Sequence, residues 1–220
     1  MPIQTIQELN MNDILSRYEV IFWDFDGVIK DSVSAKSFAY EHLFDDSNSE
    51  LALKIKTHHE KNGGVSRYEK IPLYLSWAGL VVTQSLVNFY CEKFSNTVMQ
   101  LVIESPWVPG VREFLLEHCE SKRFFLLTAT PTEEIKLILR KTSLDNIFAE
   151  VHGAPIKKEV VVQEIIAKRN IQLSSAVFVG DSISDYEAAK NNNLDFCLRA
   201  TPLNLKLQNI HKGISFEGLI

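Results

Sequence analysis

Apolar residues in this chain follow two rhythms. Short, nearly unbroken runs occur at Val20-Ile21-Phe22-Trp23, Phe124-Phe125-Leu126-Leu127, Ile147-Phe148-Ala149-Glu150-Val151, Ala176-Val177-Phe178-Val179 and Leu194-Asp195-Phe196-Cys197-Leu198. Runs of that length and kind predict strands covered on both faces, as in a parallel sheet. Between them, apolar positions recur every three or four residues: Val111, Phe114, Leu115 and Cys119, then Ile135, Ile138 and Leu139, then Val161, Val162, Ile165 and Ile166. That is helix spacing. Strands alternating with helices predict an α/β fold, a doubly wound parallel sheet whose ligands collect at the carboxyl ends of the strands.

One stretch breaks the alternation. From Lys30 to about Pro106 the pattern is helical throughout, with Phe38, Leu43, Leu51, Leu53, Ile55, Ile71, Leu75, Leu86, Phe89 and Phe94 as apolar anchors. It predicts a helical cap over 30–106, inserted into a core made of 1–29 and 107–220. Within the cap, Asp45-Asp46-Ser47-Asn48-Ser49 can cap a helix starting near Glu50, Ser66 can start another, and Thr83 can cap one running through Phe94. Pro106-Trp107-Val108-Pro109-Gly110-Val111 ends the helical region and restarts it. Ile6, Leu9, Asn10, Asp13 and Ile14 predict a weakly amphipathic lead-in helix, and the tail to Ile220 reads as peripheral.

Composition narrows the class. At 220 residues and 45% hydrophobic content, the chain can bury a substantial core and suits one domain with an insertion. A net charge of -5 gives no electrostatic footprint for nucleic acid or an anionic membrane, so a small molecule is the expected partner. Cys91, Cys119 and Cys197 are odd in number and far apart, which argues for ordinary core thiols in a reducing compartment. Glu8, Asn10, Asn12 and Asp13 stand where a signal peptide needs its apolar core, and no apolar run is long enough to span a bilayer. A soluble, cytoplasmic protein is expected.

The chemistry sits at strand ends. Asp24 and Asp26 follow the first apolar run, and a turn at Gly27 splays them around a pocket; paired carboxylates there call for a cation, a mobile proton or both. Thr128 ends the second strand, where its hydroxyl can meet a ligand beside exposed helix amides. Thr130, followed by Pro131 and Glu133, has the spacing of a helix N-cap and is assigned a structural role. Lys157 and Lys158 follow the third strand at a helix start, where a cation makes sense if an anion lies nearby. Asp181 and Asp185, one helical turn apart after the fourth strand, can serve one cation, with Ser184 and Glu187 forming the next capping box. Hard oxygen ligands select Mg²⁺, and a carboxylate nucleophile beside Mg²⁺, a lysine and a hydroxyl makes a phosphoryl-transfer site.

The cap offers one further candidate. Gly63 and Gly64 permit a tight, close-approach turn, and Arg67 and Lys70, three apart, can face one way. The loop is either a substrate-contacting element, with Arg67 or Lys70 meeting an anionic or polyhydroxyl group, or an inter-helix turn with solvated charges. His58 and His59 read as surface residues, since adjacent helix positions diverge.

Asp24-Phe25-Asp26-Gly27-Val28, Thr128, Lys158 and Gly180-Asp181-Ser182-Ile183-Ser184-Asp185 resemble the four ordered motifs of the haloacid dehalogenase superfamily. The helical insertion after the first motif resembles the cap of its phosphoglycolate phosphatase and β-phosphoglucomutase branch. The resemblance implies a Rossmann-like core with the first strand central, flanked by the second and fourth. It implies that Asp24 is the nucleophile, forming an aspartyl phosphate, and Asp26 the acid and base. It gives phosphoryl oxygens to Thr128 and Lys158, Lys158 being chosen over Lys157 because Gly153-Ala154-Pro155 is similar to the family's Gly-x-Pro-x-x-Lys variant. Mg²⁺ would be held by Asp24, the main-chain carbonyl of Asp26 and Asp181, with Asp185 ligating or orienting a water. Asp26 argues against a dehalogenase. A phosphatase acting on a small phosphorylated metabolite, such as a sugar phosphate or phosphoglycolate, is the implied activity; a phosphomutase and a non-catalytic binding module are the alternatives.

Overall fold

The computed structural model describes residues 11–44, 49–211 and 213–216. Six strands, all parallel, form one sheet: β1 (Val20–Trp23), β2 (Arg123–Pro131), β3 (Glu150–Ala154), β4 (Ala176–Gly180), β5 (Asp195–Arg199) and β6 (Ile214–Phe216), in the order β3-β2-β1-β4-β5-β6. β1 is flanked by β2 and β4, which places its carboxyl end at the middle of the sheet's edge.

Helices cover both faces. α1 (Met11–Leu15) leads into β1, α2 (Val33–Glu41), α3 (Ser49–Lys61), α4 (Arg67–Trp77) and α5 (Gln84–Glu104) follow it, and α6 (Val111–His118), α7 (Thr132–Lys141), α8 (Lys158–Arg169), α9 (Ile183–Asn191) and α10 (Leu205–Ile210) complete the chain. Because strand side chains alternate, Val20 and Phe22 enter the layer of α8 and α9, while Ile21 and Trp23 enter the opposite layer with Phe114. Phe22 stacks between Phe125 and Phe178, at centroid distances of 5.2 and 6.3 Å. All four β1 side chains are fully buried, which is why the run carries no polar alternation.

Several boundaries differ from the sequence reading, each for a packing reason. β3 starts at Glu150, not Ile147, because Ile147 and Phe148 pack as a turn beneath α7 before Phe125 pairs with Glu150. β2 runs on through Thr130 to Pro131, so Thr130 caps nothing and Pro131 is the residue preceding α7. Phe38, Leu53 and Phe89, assigned as anchors, are 49%, 62% and 59% exposed. Leu53 and Phe89 lie two positions from the buried Ile55 and Cys91, on the far side of their helices. The tail contributes β6, whose Phe216 is buried. Ile14 and Leu15 of α1 are buried as the lead-in helix requires, while Ile6, Leu9 and Asn10, and the Asp45-to-Asn48 cap, lie outside the described residues. Ser66 and Thr83 do start α4 and α5, accepting from the Tyr68 and Leu86 amides.

α2 to α5 are joined to the sheet by two chain segments that pair with each other. The Val108 amide donates to Ile29 O at 3.0 Å and the Asp31 amide to Pro106 O at 2.8 Å. Lys30 bridges to Trp107, with its ammonium 4.2 Å from the indole ring and donating to Ile103 O. Among the described residues no helix is long and apolar enough to cross a membrane, and the three cysteines are free thiols.

Candidate active site

β1 delivers Asp24 to the centre of the sheet edge, where the Asp24 amide still donates to Val179 O at 3.0 Å. The chain then turns sharply at Gly27, whose φ of +84° is a left-handed conformation that favours glycine. A Cβ there would stand 2.2 Å from Asp181 Oδ2, so the glycine also lets the β4 acid approach the β1 turn. Asp24, Asp181 and Asp185 thus converge, with ligand oxygens all within 4.8 Å of one another.

Lys158 stands among them. Its ammonium is 2.7 Å from Asp24 Oδ1 and 2.6 Å from Asp185 Oδ1, and it is 7% exposed, whereas Lys157 is solvent-exposed. Apart from that ammonium, Asp24 Oδ1 meets no hydrogen-bond donor among the described residues. The second Asp185 oxygen accepts from the Ser182 amide and hydroxyl and from the Asp181 amide. Ser182 and Asp185 therefore close the α9 capping box, two residues earlier than the expected Ser184 and Glu187.

Crowding sets the electrostatics. Burial and then the Asp185 charge push the Asp24 carboxyl up to about 7, and burial followed by Asp24 and Asp185 pushes Asp181 well above the carboxylate range. For Lys158, burial opposes charge, but Asp185 and Asp24 outweigh it and hold the amine firmly protonated. One lysine against three carboxylates leaves negative charge that a divalent cation fits. The all-oxygen donor set matches a hard ion such as Mg²⁺, which Asp24 and Asp181 would hold, while Asp185 is engaged by Lys158 and the α9 start.

Asp26 has a separate environment. It accepts from Ser32 Oγ at 2.7 Å, from Thr130 Oγ1 at 3.2 Å and from the Lys36 ammonium, and Thr128 Oγ1 lies 3.5 Å away. Burial raises its pKa, but Lys36 and these donors outweigh burial and keep the carboxyl below its ordinary value. Thr130 is thus a partner of Asp26, not the helix cap that its Pro-x-Glu context suggested. Lys36 also donates to Thr130 Oγ1 at 2.9 Å. Sequence reasoning missed Lys36; its position in the first turn of the helix after the Asp26 loop was the available signal. Thr128 is buried at the end of the apolar part of β2 and accepts from the Thr130 amide.

The remaining candidates lie on the cap side of a cavity of about 580 Å³ that reaches Asp24, Asp26 and Asp181. Gly63 and Gly64 line it, and Gly64 lies against the start of α9, where a Cβ would come within 1.8 Å of Ser184 Oγ. Lys70 and His59 line it too; His59 is 4% exposed, which corrects its assignment to the surface. Arg67 is committed elsewhere. Its guanidinium donates to both Glu134 oxygens on α7, at 2.8 and 2.6 Å, and to Ser95 Oγ, with the Phe94 ring 4.6 Å away. The pair is buried, joining α4 to the sheet's own helix. A double-mutant cycle of Arg67→Ala and Glu134→Ala should return a coupling of about 1–3 kcal/mol in urea unfolding; additive single effects would show that the pair does not join the two layers.

A family model described as haloacid dehalogenase-like hydrolase matches residues 20–198. The chain belongs to the haloacid dehalogenase-like hydrolase family. Membership makes it an enzyme of the hydrolase class. This haloacid dehalogenase-like chain is 24% identical over 193 residues to a phosphoglycolate phosphatase of Colwellia psychrerythraea, covering 82% of this chain and 84% of the relative. Among solved structures it is similar to a β-phosphoglucomutase from Clostridium difficile, with a TM-score of 0.70 at 16% identity over 91% of each chain. It is also similar to a predicted phosphoglycolate phosphatase from Haemophilus somnus, with a TM-score of 0.65 at 18% identity over 83% of this chain and 85% of that one. These structural likenesses concern the fold.

Proposed function

We propose that this hydrolase is a Mg²⁺-dependent phosphatase that cleaves a small phosphorylated metabolite through an aspartyl phosphate on Asp24. One observation carries the reading: Lys158 ties Asp24 into a buried acidic cluster, while Asp26, two residues on, is held apart by donors of its own. Two carboxylates in separate environments can divide the labour of nucleophile and acid/base.

In the proposed reaction Asp24 attacks phosphorus in line, a new O–P bond forms, and the ester P–O bond breaks. Asp26 gives its proton to the departing alkoxide. Lys36 keeps Asp26 ionised in the resting site; the approach of a dianionic phosphoryl group raises its proton affinity, and Asp26 takes up from solvent the proton that it then transfers. Water then attacks phosphorus, Asp26 accepts the water's proton, and the Asp24–phosphorus bond breaks to release phosphate. Lys158 and Thr128 would hold phosphoryl oxygens. Mg²⁺ bound by Asp24, the Asp26 carbonyl and Asp181 would supply charge neutralisation for the transferring group. Asp185, with both oxygens engaged by Lys158 and the α9 start, acts by positioning Lys158. α2 to α5 act as the cap, and the cytoplasm is the expected compartment.

A screen of phosphorylated metabolites with Mg²⁺, reading released phosphate, tests the function; no turnover with any ester would refute it. Metal binding is checked separately. Mg²⁺ at 100 times its dissociation constant should stabilise the protein by about 2.7 kcal/mol in thermal unfolding. The shift should largely vanish in Asp181→Asn, and an equal shift in that variant would remove Asp181 from the metal site.

A further inference from the structure

The cap wall of the cavity contains a buried amine with no counter-ion. Lys70 is 1% exposed, and no carboxylate pairs with it among the described residues; Glu69, its acidic neighbour on α4, is exposed. The Lys70 ammonium lies 2.9 Å from His59 Nδ1. With Nδ1 accepting from that ammonium, the ring proton of His59 resides on Nε2. Nε2 is itself buried and has no partner. Both residues line the cavity that contains Asp24 and Asp26.

A buried cation without a counter-ion is unfavourable in a folded protein, and so is a buried donor left unsatisfied. Here both defects lie side by side, facing one space, and both are cured by the same thing: an acceptor carrying negative charge. Among the described residues no carboxylate pairs with either group, although Glu60 and Glu187 line the same cavity. The Tyr40 ring lies 4.6 Å from that of His59 and 5.5 Å from the Lys70 ammonium, Lys36 adds positive charge from α2, His58 and Tyr74 bond to each other, and Arg67 is neutralised by Glu134. An ammonium without a counter-ion beside an unpartnered imidazole N–H is suited to an anionic ligand.

We infer that Lys70 and His59 form the subsite for a carboxylate on the tail of the substrate, so that the preferred substrate is a short phosphate ester of a hydroxy acid. The inference rests on the phosphatase reading for the identity of the phosphate end alone. One ammonium and one imidazole N–H match the two oxygens of a carboxylate. A second phosphoryl group needs more donors, and the nearby guanidinium that could supply them is held by Glu134. A sugar tail would leave the Lys70 charge uncompensated. Burial, and then the charge of Lys36, lower the Lys70 pKa to about 7, and a carboxylate beside it would reverse that.

Calorimetry with the Asp24→Asn protein and Mg²⁺ tests the subsite without turnover. The probes are 2-phosphoglycolate, ethyl phosphate, which lacks the carboxylate, and glucose 1,6-bisphosphate. The expected result is at least about tenfold tighter binding of 2-phosphoglycolate than of either other ester, as a charged hydrogen-bonded contact provides. Adding Lys70→Met, and separately His59→Gln, should bring the ratio of 2-phosphoglycolate to ethyl phosphate affinity close to one, with thermal melts checking that each variant is folded. Equal binding of 2-phosphoglycolate and ethyl phosphate, tighter binding of the bisphosphate, or a ratio that survives both substitutions would overturn the inference. Failure of the wild type to release phosphate from any ester would sink the phosphatase reading, while a retained binding ratio would leave the carboxylate subsite standing.

Discussion

Asp24→Asn is expected to lower the turnover of an aryl phosphate at least about a thousandfold, because it removes the atom that must form the new bond to phosphorus. The loss should come without unfolding. Asp24 is one of three crowded carboxylates, and asparagine removes a charge that burial and Asp185 already disfavour. Its pKa of about 7 stands above the ordinary 3.8, so in metal-free protein the folded state keeps a proton that the unfolded chain releases between those values. Stability from this group therefore falls as pH rises through that window. Asparagine should flatten that slope. Activity retained within tenfold of wild type would remove Asp24 from the nucleophile's role, whatever happens to stability.

Lys158→Met should have the opposite signature, losing stability as well as activity. It removes the one cation that bridges Asp24 and Asp185 and leaves buried carboxylates facing each other. Breaking a buried pair on one side costs about 3–5 kcal/mol, against the smaller effect of asparagine at Asp24. Urea unfolding in chelator checks this, and a Lys158→Met protein as stable as wild type would show that the lysine is not structurally coupled to the cluster. The double variant Lys158→Met with Asp24→Asn should recover part of the loss, since one of the stranded charges goes with it.

What could be read from the sequence depended on how local the cause was. Asp24 and Asp181 stood out because acids at the ends of buried apolar strands have no packing reason to be there. Lys158 was distinguishable from Lys157 only through the motif it resembles, and burial of one and exposure of the other follows from where α8 begins. Thr130 was misread because Thr-Pro-x-Glu satisfies a capping rule locally, whereas β3 pairs with the end of β2 and draws Thr130 into the strand. Gly153 permits that approach, since a Cβ there would stand 2.2 Å from Thr130 O. Arg67 and His59 show the complementary failure. The partner of Arg67 is Glu134, far along the chain on another layer, and His59 is buried by Tyr40 and Lys70 from neighbouring helices. No periodicity carries such information.

The paired crossing at Ile29–Asp31 and Pro106–Val108 governs how α2 to α5 can move against the sheet. Two separate linkers would permit swivelling in any direction. A hydrogen-bonded ribbon resists twisting of its strands about each other and bends most easily across its own plane, so a movement of α2 to α5 against the sheet would follow that one axis. Trp107 sits on that axis, its indole flanked by the Lys30 ammonium at 4.2 Å and the Arg112 guanidinium at 5.3 Å. Bending the ribbon changes the distance of two positive charges from one indole, which gives the protein a built-in fluorescent gauge of the angle between its two parts.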